Sequence, residues 1–263
     1  MEKVEGFRKL TENPYGDLYW NLPEAKQGWL NVVGGNKERF HAPVSIANSI
    51  REKWPVEKVV TILPDAVRPI FQDFPDVAFG ASTESGSFRD GAELSRFFGE
   101  ADFDLVVGDL SKNSVTVGAI VSAVSKSEKP VLLTRDAVDL FAEGCGEADL
   151  LNERVMFFGS MVQMQKIFRA VYYPKVLLLS QPLLQVVEAL HKFTLSYPVT
   201  LITFHAGQFL VARDGRVEAV PFEKAGISMV QLWGGEVASR IAVLNMFNPG
   251  KSLEASVASM FRV

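Results

Sequence analysis

The sequence of 263 residues contains one cysteine and no long apolar run. Cys145 cannot form a disulfide within the chain, which argues against a disulfide-stapled secreted domain. The longest apolar runs, such as that in KVLLLS, are far too short to cross a bilayer. The charged N-terminal stretch also lacks the apolar core of a secretory signal. We therefore expect a cytoplasmic protein that does not bind membranes.

Clusters of basic residues are also missing. Lys and Arg number 27 against 31 Asp and Glu, which gives a formal net charge of −4. This balance argues against a protein that grips nucleic acid through its phosphates, so no nucleic-acid partner is expected. The three histidines, His41, His191 and His205, show no metal-ligand spacing. No metal-ligating residue is predicted.

Three common catalytic motifs are absent from the chain. It contains no GxxxxGK[ST] phosphate loop, no GxGxxG turn and no GxSxG nucleophile elbow. Their absence argues against a P-loop enzyme, a dehydrogenase of the GxGxxG type and an α/β-hydrolase.

Short apolar runs that alternate with helical patterns are the main positive signal. Hydrophobic residues make up 48% of the chain, which is enough for a large core. The runs do not alternate with polar residues, which is typical of parallel strands covered on both faces. We predict strands within 29–35, 57–64, 76–82, 103–109, 129–137 and 153–160, and helices within 42–54, 91–101 and 115–126.

The C-terminal part follows a different pattern. Between residues 199 and 222, two strand-like runs flank RDGR, and Asp-Gly is a strong hairpin signal. Two helices are predicted after it, 237–247 and 252–261, with Ser252 as the cap of the second. The chain is therefore expected to form one α/β domain over residues 1–263. It would have a mostly parallel open sheet, helices on both faces and a late antiparallel hairpin, with residues 1–27 packed on it as a helix or arm.

Two turns at predicted strand ends could bind a ligand, because open parallel sheets bind ligands beyond the carboxyl ends of their strands. In VVGGNKERFHAP, the two glycines could let the backbone approach a ligand, or they could simply form a tight turn. His41 could bind the ligand, or it could cap the helix that follows. In VVGDLSKN, Asp109, Ser111 and Asn113 could contact a ligand or act as turn and N-cap residues.

A third turn, LWGGEVA, precedes a helix near the end of the chain. Gly234 and Gly235 before the helix would leave unpaired N–H groups for an anion. Glu236 could act there as a general base, or it could simply be an acid placed favourably against the helix dipole. The sequence pattern alone does not favour either role for Glu236.

The order of these motifs resembles that of the ADP/ATP-dependent NAD(P)H-hydrate dehydratases, a family of the ribokinase-like superfamily, over about residues 28–250. VVGGNKERFHAP resembles the family's GGSxxYxGA turn, and VVTILP resembles its VAVP strand end. VVGDLSKN corresponds to VIGPGLG and keeps Gly108, whereas KPVLLTRDAVDLF corresponds to PVVLDADALNLL and keeps Asp136. FHAGQ resembles KGAxT with His205 in place of the lysine, DGRVEAVP resembles DGRVYVNP, and LWGGEVA resembles GGSGDVL.

The resemblance implies a ribokinase-like fold and a concrete reaction. ADP or ATP, with Mg²⁺, would donate a phosphoryl group to a hydroxyl of hydrated NADH or NADPH, and phosphate would then leave. By position, Glu236 would be the catalytic acid-base group. The nucleotide and its phosphates would be held by Gly234, Gly235, His205, Ala206 and Gly207. The substrate would be held by Gly34, Gly35, Asn36, Ala42, Gly108, Asp109 and Asp136.

The chain departs from the family in several of these turns. Phe157 stands where the family's HPGE turn has histidine, the GPGLG glycines are reduced to one, and His205 replaces a lysine. Glu236 is one methylene longer than aspartate, and Trp233 replaces a small residue at the rim. Catalytic groups need placement within a fraction of an ångström, so these departures bear on activity.

Three functions therefore remain open. The first is nucleotide-dependent repair of hydrated NAD(P)H or a related phosphoryl transfer. The second is a catalytically degenerate relative that binds a small-molecule nucleotide ligand. The third is a scaffold or interaction protein that uses the same fold, since a fold does not fix a function. The sequence is compatible with a homo-oligomer but gives no sign of one.

Overall fold

The computed structural model describes residues 5–71, 73–145, 150–228, 231–232 and 234–261. Its strands are β1 (Phe7–Lys9), β2 (Gln27–Gly34), β3 (Val56–Pro64), β4 (Val77–Gly80), β5 (Phe103–Gly108), β6 (Val131–Thr134), β7 (Val155–Phe158), β8 (Thr200–His205), β9 (Gln208–Arg213) and β10 (Arg216–Pro221). Its helices are α1 (His41–Lys53), α2 (Arg68–Phe71), α3 (Gly91–Glu100), α4 (Ser114–Lys126), α5 (Asp136–Gly144), α6 (Met161–Ala170), α7 (Leu183–Ser196), α8 (Phe222–Ala225), α9 (Glu236–Phe247) and α10 (Ser252–Met260).

All ten strands belong to one sheet, in the order β1-β10-β9-β8-β7-β6-β5-β2-β3-β4. Every neighbouring pair is parallel except the two pairs that include β9. The seven strands from β8 to β4 are therefore parallel, and their carboxyl ends share one edge. This confirms the predicted mostly parallel sheet with a late antiparallel hairpin.

Helices cover both faces of the sheet, as predicted. On one face, α3 to α7 pack on strand residues such as Val33, Val106 and Leu133. On the other face, α1, α9 and α10 pack on the alternate strand residues, such as Val32 and Leu105. Side chains of a strand point to opposite faces in turn, so a strand buried on both faces needs apolar residues at nearly every position. The unbroken apolar runs of the sequence have this cause.

Residues 199–222 form three strands where two strand-like runs were predicted. The turn at Asp214 and Gly215 joins β9 to β10, in agreement with the Asp-Gly signal. A second turn, at Ala206 and Gly207, splits the first run into β8 and β9. Both turn residues have positive φ, 48° and 73°, and Ala-Gly lacks the asparagine or aspartate that usually marks such a turn in sequence.

The N-terminal arm is more regular than expected. It adds β1 to the sheet edge beside β10 and continues into a 3₁₀ helix at Gly16–Asn21. At the other end of the chain, Ser252 is the first residue of α10, and Lys251 is its N-cap without a side-chain capping bond. The predicted cap at Ser252 is therefore wrong by one position. No helix in the described part of the chain is long and apolar enough to cross a membrane.

Candidate functional site

A cavity of about 480 Å³ lies at the carboxyl edge of the sheet, beyond β5, β6, β7 and β8. We call it the edge cavity. Its polar and charged lining residues are Arg39, Asp109, Thr134, Arg135, Asp136, Asp139, Ser160 and Gln163. Its apolar lining residues include Phe158, Val162, Phe204 and Leu232. Ligands of open parallel sheets bind at this position, so the edge cavity is the candidate site.

The first two predicted turns meet beside the edge cavity, where β2 ends against β5. The Gly35 N–H donates to the Gly108 carbonyl at 2.8 Å. A Cβ atom on Gly34 would lie 2.5 Å from that same oxygen, and one on Gly108 would lie 1.8 Å from Asp136 Oδ1. These glycines are therefore required by the close approach of backbone to backbone and of backbone to a carboxylate.

Asn36 joins the two turns through its side-chain amide. Its Nδ2 donates to the Asp109 carbonyl at 2.7 Å, and its Oδ1 accepts from the N–H groups of Glu38 and Arg39 at 2.9 and 3.0 Å. The side chain is buried, and the turn that it holds brings Arg39 to the edge cavity. Asn36 thus positions the cavity wall and does not itself line it.

Two residues with strained backbone place charges in the edge cavity. Asp109 and Arg135 both have φ of 57°, which is uncommon for residues other than glycine. Arg135 Nη2 lies 3.2 Å from Asp109 Oδ1, and the Asp109 N–H donates to Asp136 Oδ1 at 2.8 Å. Strain of this kind is concentrated at functional sites, where the surrounding structure holds it.

The Asp136 carboxyl group is mostly buried, and this burial raises its pKa above the usual range. The hydrogen bond from the Asp109 N–H acts in the opposite direction, and the charge of Asp109 raises the pKa again. A buried carboxyl group beside a cavity that also presents arginine is a candidate for contact with a polar ligand.

Gln163 and Asp139 are lining residues that the sequence prediction missed. Gln163 Nε2 donates to the Arg135 carbonyl at 2.6 Å and to Asp139 Oδ2 at 2.8 Å. Lys166 pairs with the same Asp139 carboxylate. The signal that would have found this group is the capping box of α6, in which Ser160 and Gln163 bond reciprocally after β7.

Phe157, which stands where the family's histidine is expected, is fully buried and does not line the edge cavity. Its ring packs 5.4 Å from that of Phe141, centroid to centroid. The next three residues along the chain, Phe158, Gly159 and Ser160, line the cavity instead. Position 157 is therefore part of the hydrophobic core.

Of the third predicted turn, LWGGEVA, only Leu232 among the described residues lines the edge cavity. Glu236 begins α9, but its carboxylate lies 3.9 Å from Lys53 Nζ and accepts from Gln231 Nε2 at 3.3 Å. It lines a second cavity, of about 650 Å³, and not the edge cavity. Gly234 is exposed, whereas Gly235 is buried with φ of 83°, and a Cβ there would lie 2.2 Å from Ile46 Cδ1. Packing against α1 is sufficient reason for glycine at 235.

The predicted nucleotide turn at the end of β8 lies near the edge cavity without lining it. His205 is buried, and its Nε2 lies 2.8 Å from the Gln181 carbonyl. Ala206 and Gly207 are exposed turn residues. Their neighbour Phe204 does line the edge cavity, as does Leu232 on the other turn.

The remaining predicted residues have mainly structural contacts. Ala42 packs in the first turn of α1 against the core, and His41 begins that helix without capping it. Asn113 caps α4 by accepting from the Thr116 N–H, and the Ser111 N–H donates to Ser87 Oγ. Trp233 lies outside the described residues. Within the described ranges, no group of three or more His, Cys, Asp and Glu side chains is arranged to hold a metal ion.

No protein-family model and no curated protein sequence matches this chain. Solved structures do match it. A hypothetical protein from Streptococcus mutans matches with TM-score 0.67 at 14% identity, over 96% of this chain and 87% of that one. A ribokinase-like superfamily protein from Enterococcus faecalis also matches with TM-score 0.67, at 15% identity, over 98% and 86%.

A third similar structure is the ADP/ATP-dependent NAD(P)H-hydrate dehydratase of Bacillus subtilis, which was co-crystallised with ATP and Mg²⁺. It matches with TM-score 0.58 at 13% identity, over 95% of this chain and 86% of that one. At these identities the matches establish the fold, which is ribokinase-like, as the sequence motifs predicted.

Proposed function

We propose that this protein binds a small nucleotide-type molecule in the edge cavity. The observation that carries this proposal is the convergence of Asp109, Arg135 and Asp136 on one cavity at the carboxyl edge of the sheet. The cavity volume falls within the range of sites for drug-sized ligands, roughly 300–1,000 Å³. The resemblance to a hydrate dehydratase indicates the class of ligand.

The lining residues suit the parts of such a molecule. Carboxylates accept hydrogen bonds from hydroxyl groups, which makes Asp109 and Asp136 partners for a ribose or a hydrated nicotinamide ring. Arg39 and Arg135 are suited to phosphate, because a guanidinium can donate two parallel hydrogen bonds. Phe158 and Phe204 supply apolar surface for a base or ring.

The residues that the resemblance implies for phosphoryl transfer do not lie in the edge cavity. The implied base, Glu236, is engaged with Lys53 and Gln231 at a different cavity. The ring of His205 is engaged with the Gln181 carbonyl through Nε2, whereas the family has a lysine at this position. We therefore propose ligand binding without Glu236-dependent transfer.

ADP- or ATP-dependent dehydration of hydrated NAD(P)H is the second candidate function. It is favoured by one observation: Phe204 and Leu232, which adjoin the two predicted nucleotide turns, both line the edge cavity. In this candidate, Ala206, Gly207, Gly234 and Gly235 would hold the nucleotide phosphates. Glu236 would then have to turn from Lys53 to the edge cavity.

A thermal-shift panel of ADP, ATP, NADH and NADPH, each with Mg²⁺, tests the binding proposal. Any ligand that binds only the folded state stabilises it, by about 2.7 kcal/mol at 100 times its Kd. We expect at least one of these ligands to raise the Tm of the wild type. We expect Asp136→Asn to weaken binding about tenfold or more, since the asparagine keeps the acceptor for the Asp109 N–H but loses the charge.

The exposed Asp73 provides a matched control, and Asp73→Asn should leave the ligand-induced shift unchanged. The absence of any shift in the wild type would refute the binding proposal. Turnover of hydrated NADH with ADP or ATP, abolished by Glu236→Gln, would establish the second candidate instead. Turnover that survives Glu236→Gln would remove this residue from the mechanism.

A further inference from the structure

The second cavity lies on the flank of the molecule and is distinct from the edge cavity, although the consecutive residues Gln231 and Leu232 line one cavity each. It is enclosed by the N-terminal 3₁₀ helix, the end of α1, α8 and the start of α9, and its volume is about 650 Å³. We call it the flank cavity. No described residue lines both cavities. Its apolar wall consists of Tyr19, Leu22, Trp54 and Pro55, and its charged residues are Lys53, Glu236 and Arg240.

Arg240 is the unusual member of this lining. It is 7% exposed, which is rare for an arginine without an acidic partner, and no described carboxylate forms an ion pair with it. Its one hydrogen bond in the described part of the chain runs from Nη1 to the Phe261 carbonyl at 3.0 Å. That carbonyl follows the C-terminus of α10, where the helix dipole favours a cation.

The rest of the guanidinium lacks a partner among the described residues. Nε is buried and makes no hydrogen bond. Nη2 makes none either and is not among the fully buried unpartnered atoms, so it is the nitrogen left to face the cavity. Burial of a charged group with donors unmet is costly, and an anion that accepts from Nη2 would offset part of that cost.

The other charged groups leave the flank cavity with an excess of positive charge. Lys53 Nζ lies 3.9 Å from Glu236 Oε2, and their side chains are 55% and 35% exposed. This pair balances itself, whereas Arg240 remains unbalanced deeper in the wall. Burial raises the pKa of the Tyr19 hydroxyl, and the positive charge of Arg240 partly opposes this by lowering that pKa.

We propose that the flank cavity binds a small molecule that carries an oxyanion, a phosphate or a carboxylate, on an apolar body. Arg240 binds the oxyanion through Nη2, the guanidinium nitrogen that faces the cavity. Lys53 contributes a second, more exposed positive charge. The apolar body lies against Tyr19, Leu22 and Trp54. No described residue lines both this site and the proposed nucleotide site.

Isothermal titration calorimetry with phenyl phosphate, benzoate, inorganic phosphate and benzyl alcohol tests this proposal. We expect the wild type to bind phenyl phosphate or benzoate, and to bind inorganic phosphate and benzyl alcohol at least tenfold more weakly, since each of these lacks half of the recognised chemistry. The comparison of phenyl phosphate with benzoate identifies which oxyanion the site prefers. Failure of both aromatic anions to bind would overturn the proposal.

Variants assign the binding to the flank cavity. Arg240→Gln should weaken binding of the preferred aromatic anion at least tenfold, whereas Arg39→Gln, which alters the edge cavity, should not change it. The reverse pattern would show that the anion occupies the edge cavity and would overturn the proposal. Failure of this proposal is distinguishable from failure of the proposed nucleotide binding. The thermal-shift panel tests the edge cavity through Asp136→Asn, whereas this titration tests the flank cavity through Arg240→Gln.

Lys53→Glu provides a test that does not touch the buried arginine, in case Arg240→Gln fails to fold. Reversal of this exposed charge should weaken anion binding at least fivefold, whereas the same change at the exposed Lys112 should have no effect. Glu236→Gln should strengthen binding, since it removes the negative charge beside Lys53. Equal affinities in Lys53→Glu, Glu236→Gln and the wild type would overturn the proposal.

Discussion

Gly108 shows at the scale of one residue why the candidate site needs glycine. Its φ is 104°, and a Cβ atom would lie 1.8 Å from Asp136 Oδ1. Gly207 has a comparable φ of 73° but no atom within 4 Å of the position of a Cβ. A side chain at either position would strain the backbone, but only at Gly108 would it also clash with a neighbouring group.

We expect Gly108→Ala to destabilise the fold by more than Gly207→Ala. A strained backbone costs about 1–3 kcal/mol in either variant, and Gly108→Ala must also displace Asp136. Urea unfolding of both variants measures the difference. Equal losses of stability would show that the close approach to Asp136 is not a constraint in solution.

Asp104 is a fully buried carboxyl group in β5 with one unpartnered oxygen. Its Oδ1 accepts from Asn31 Nδ2 at 2.9 Å, whereas Oδ2 has no partner among the described residues. Burial raises the pKa of Asp104 well above its usual value of 3.8, and the bond from Asn31 and the charge of Lys129 only partly oppose this.

This raised pKa predicts how stability changes with pH. The folded state holds the proton more tightly than the unfolded state, so the contribution is fully present below pH 3.8. It declines as the pH rises through the interval up to the folded pKa, by at most about 1.4 kcal/mol per pH unit.

Asp104→Asn should reduce that decline, because asparagine has no proton to lose. Urea unfolding at several pH values measures the slope, and Asp73→Asn, at an exposed position, is the control. The same slope in wild type and Asp104→Asn would contradict the assignment of the pH dependence to this residue.

The N-terminal arm is the clearest example at the scale of an element. It adds β1 to the sheet and then directs the Tyr15 hydroxyl to Glu218 Oε1, a donor–acceptor distance of 2.7 Å. Glu218 is 1% exposed and also pairs with Arg216 and Arg8. A network around one buried carboxylate therefore fixes the arm to β10.

We expect Tyr15→Phe to destabilise the protein by about 1–3 kcal/mol, because the buried Glu218 carboxylate loses one of its two hydrogen bonds and keeps the one from Arg216. Tyr172→Phe removes a hydroxyl from a side chain that is 88% exposed and should have almost no effect. Thermal unfolding compares the two. A similar small change in both would show that the arm is held by its strand pairing alone.

At the scale of the whole molecule, the order of strands predicts a gradient of local stability. β5, β6 and β7 lie inside the sheet with helices on both faces, whereas β1 and β4 each have one neighbouring strand. Amide groups of inner strands exchange only through large openings, and edge strands open more easily.

Hydrogen exchange followed by mass spectrometry should therefore show the slowest exchange in β5, β6 and β7. The fastest exchange among the strands should occur in β1 and β4. Protection of β4 equal to that of β6 would contradict this gradient and would indicate that another chain covers the β4 edge in solution.

The class of the fold and the order of its strands and helices follow from local sequence pattern. Short unbroken apolar runs are typical of strands buried on both faces, and Asp-Gly at 214–215 specified one hairpin. The same local chemistry placed Gly108, Asp109 and Asp136 at strand ends, and parallel strands necessarily bring such ends to one edge.

The directions of the charged side chains depend on packing between elements that are distant in sequence. Glu236 follows two glycines, as expected of an acidic residue after a phosphate-binding turn, yet its carboxylate lies beside Lys53. Gln163 and Asp139 reach the edge cavity, and Arg240 is buried in the flank cavity. These outcomes depend on how helices distant in sequence pack on the two faces of the sheet. Local pattern fixes a residue's place in its own element but not the neighbour that its side chain meets.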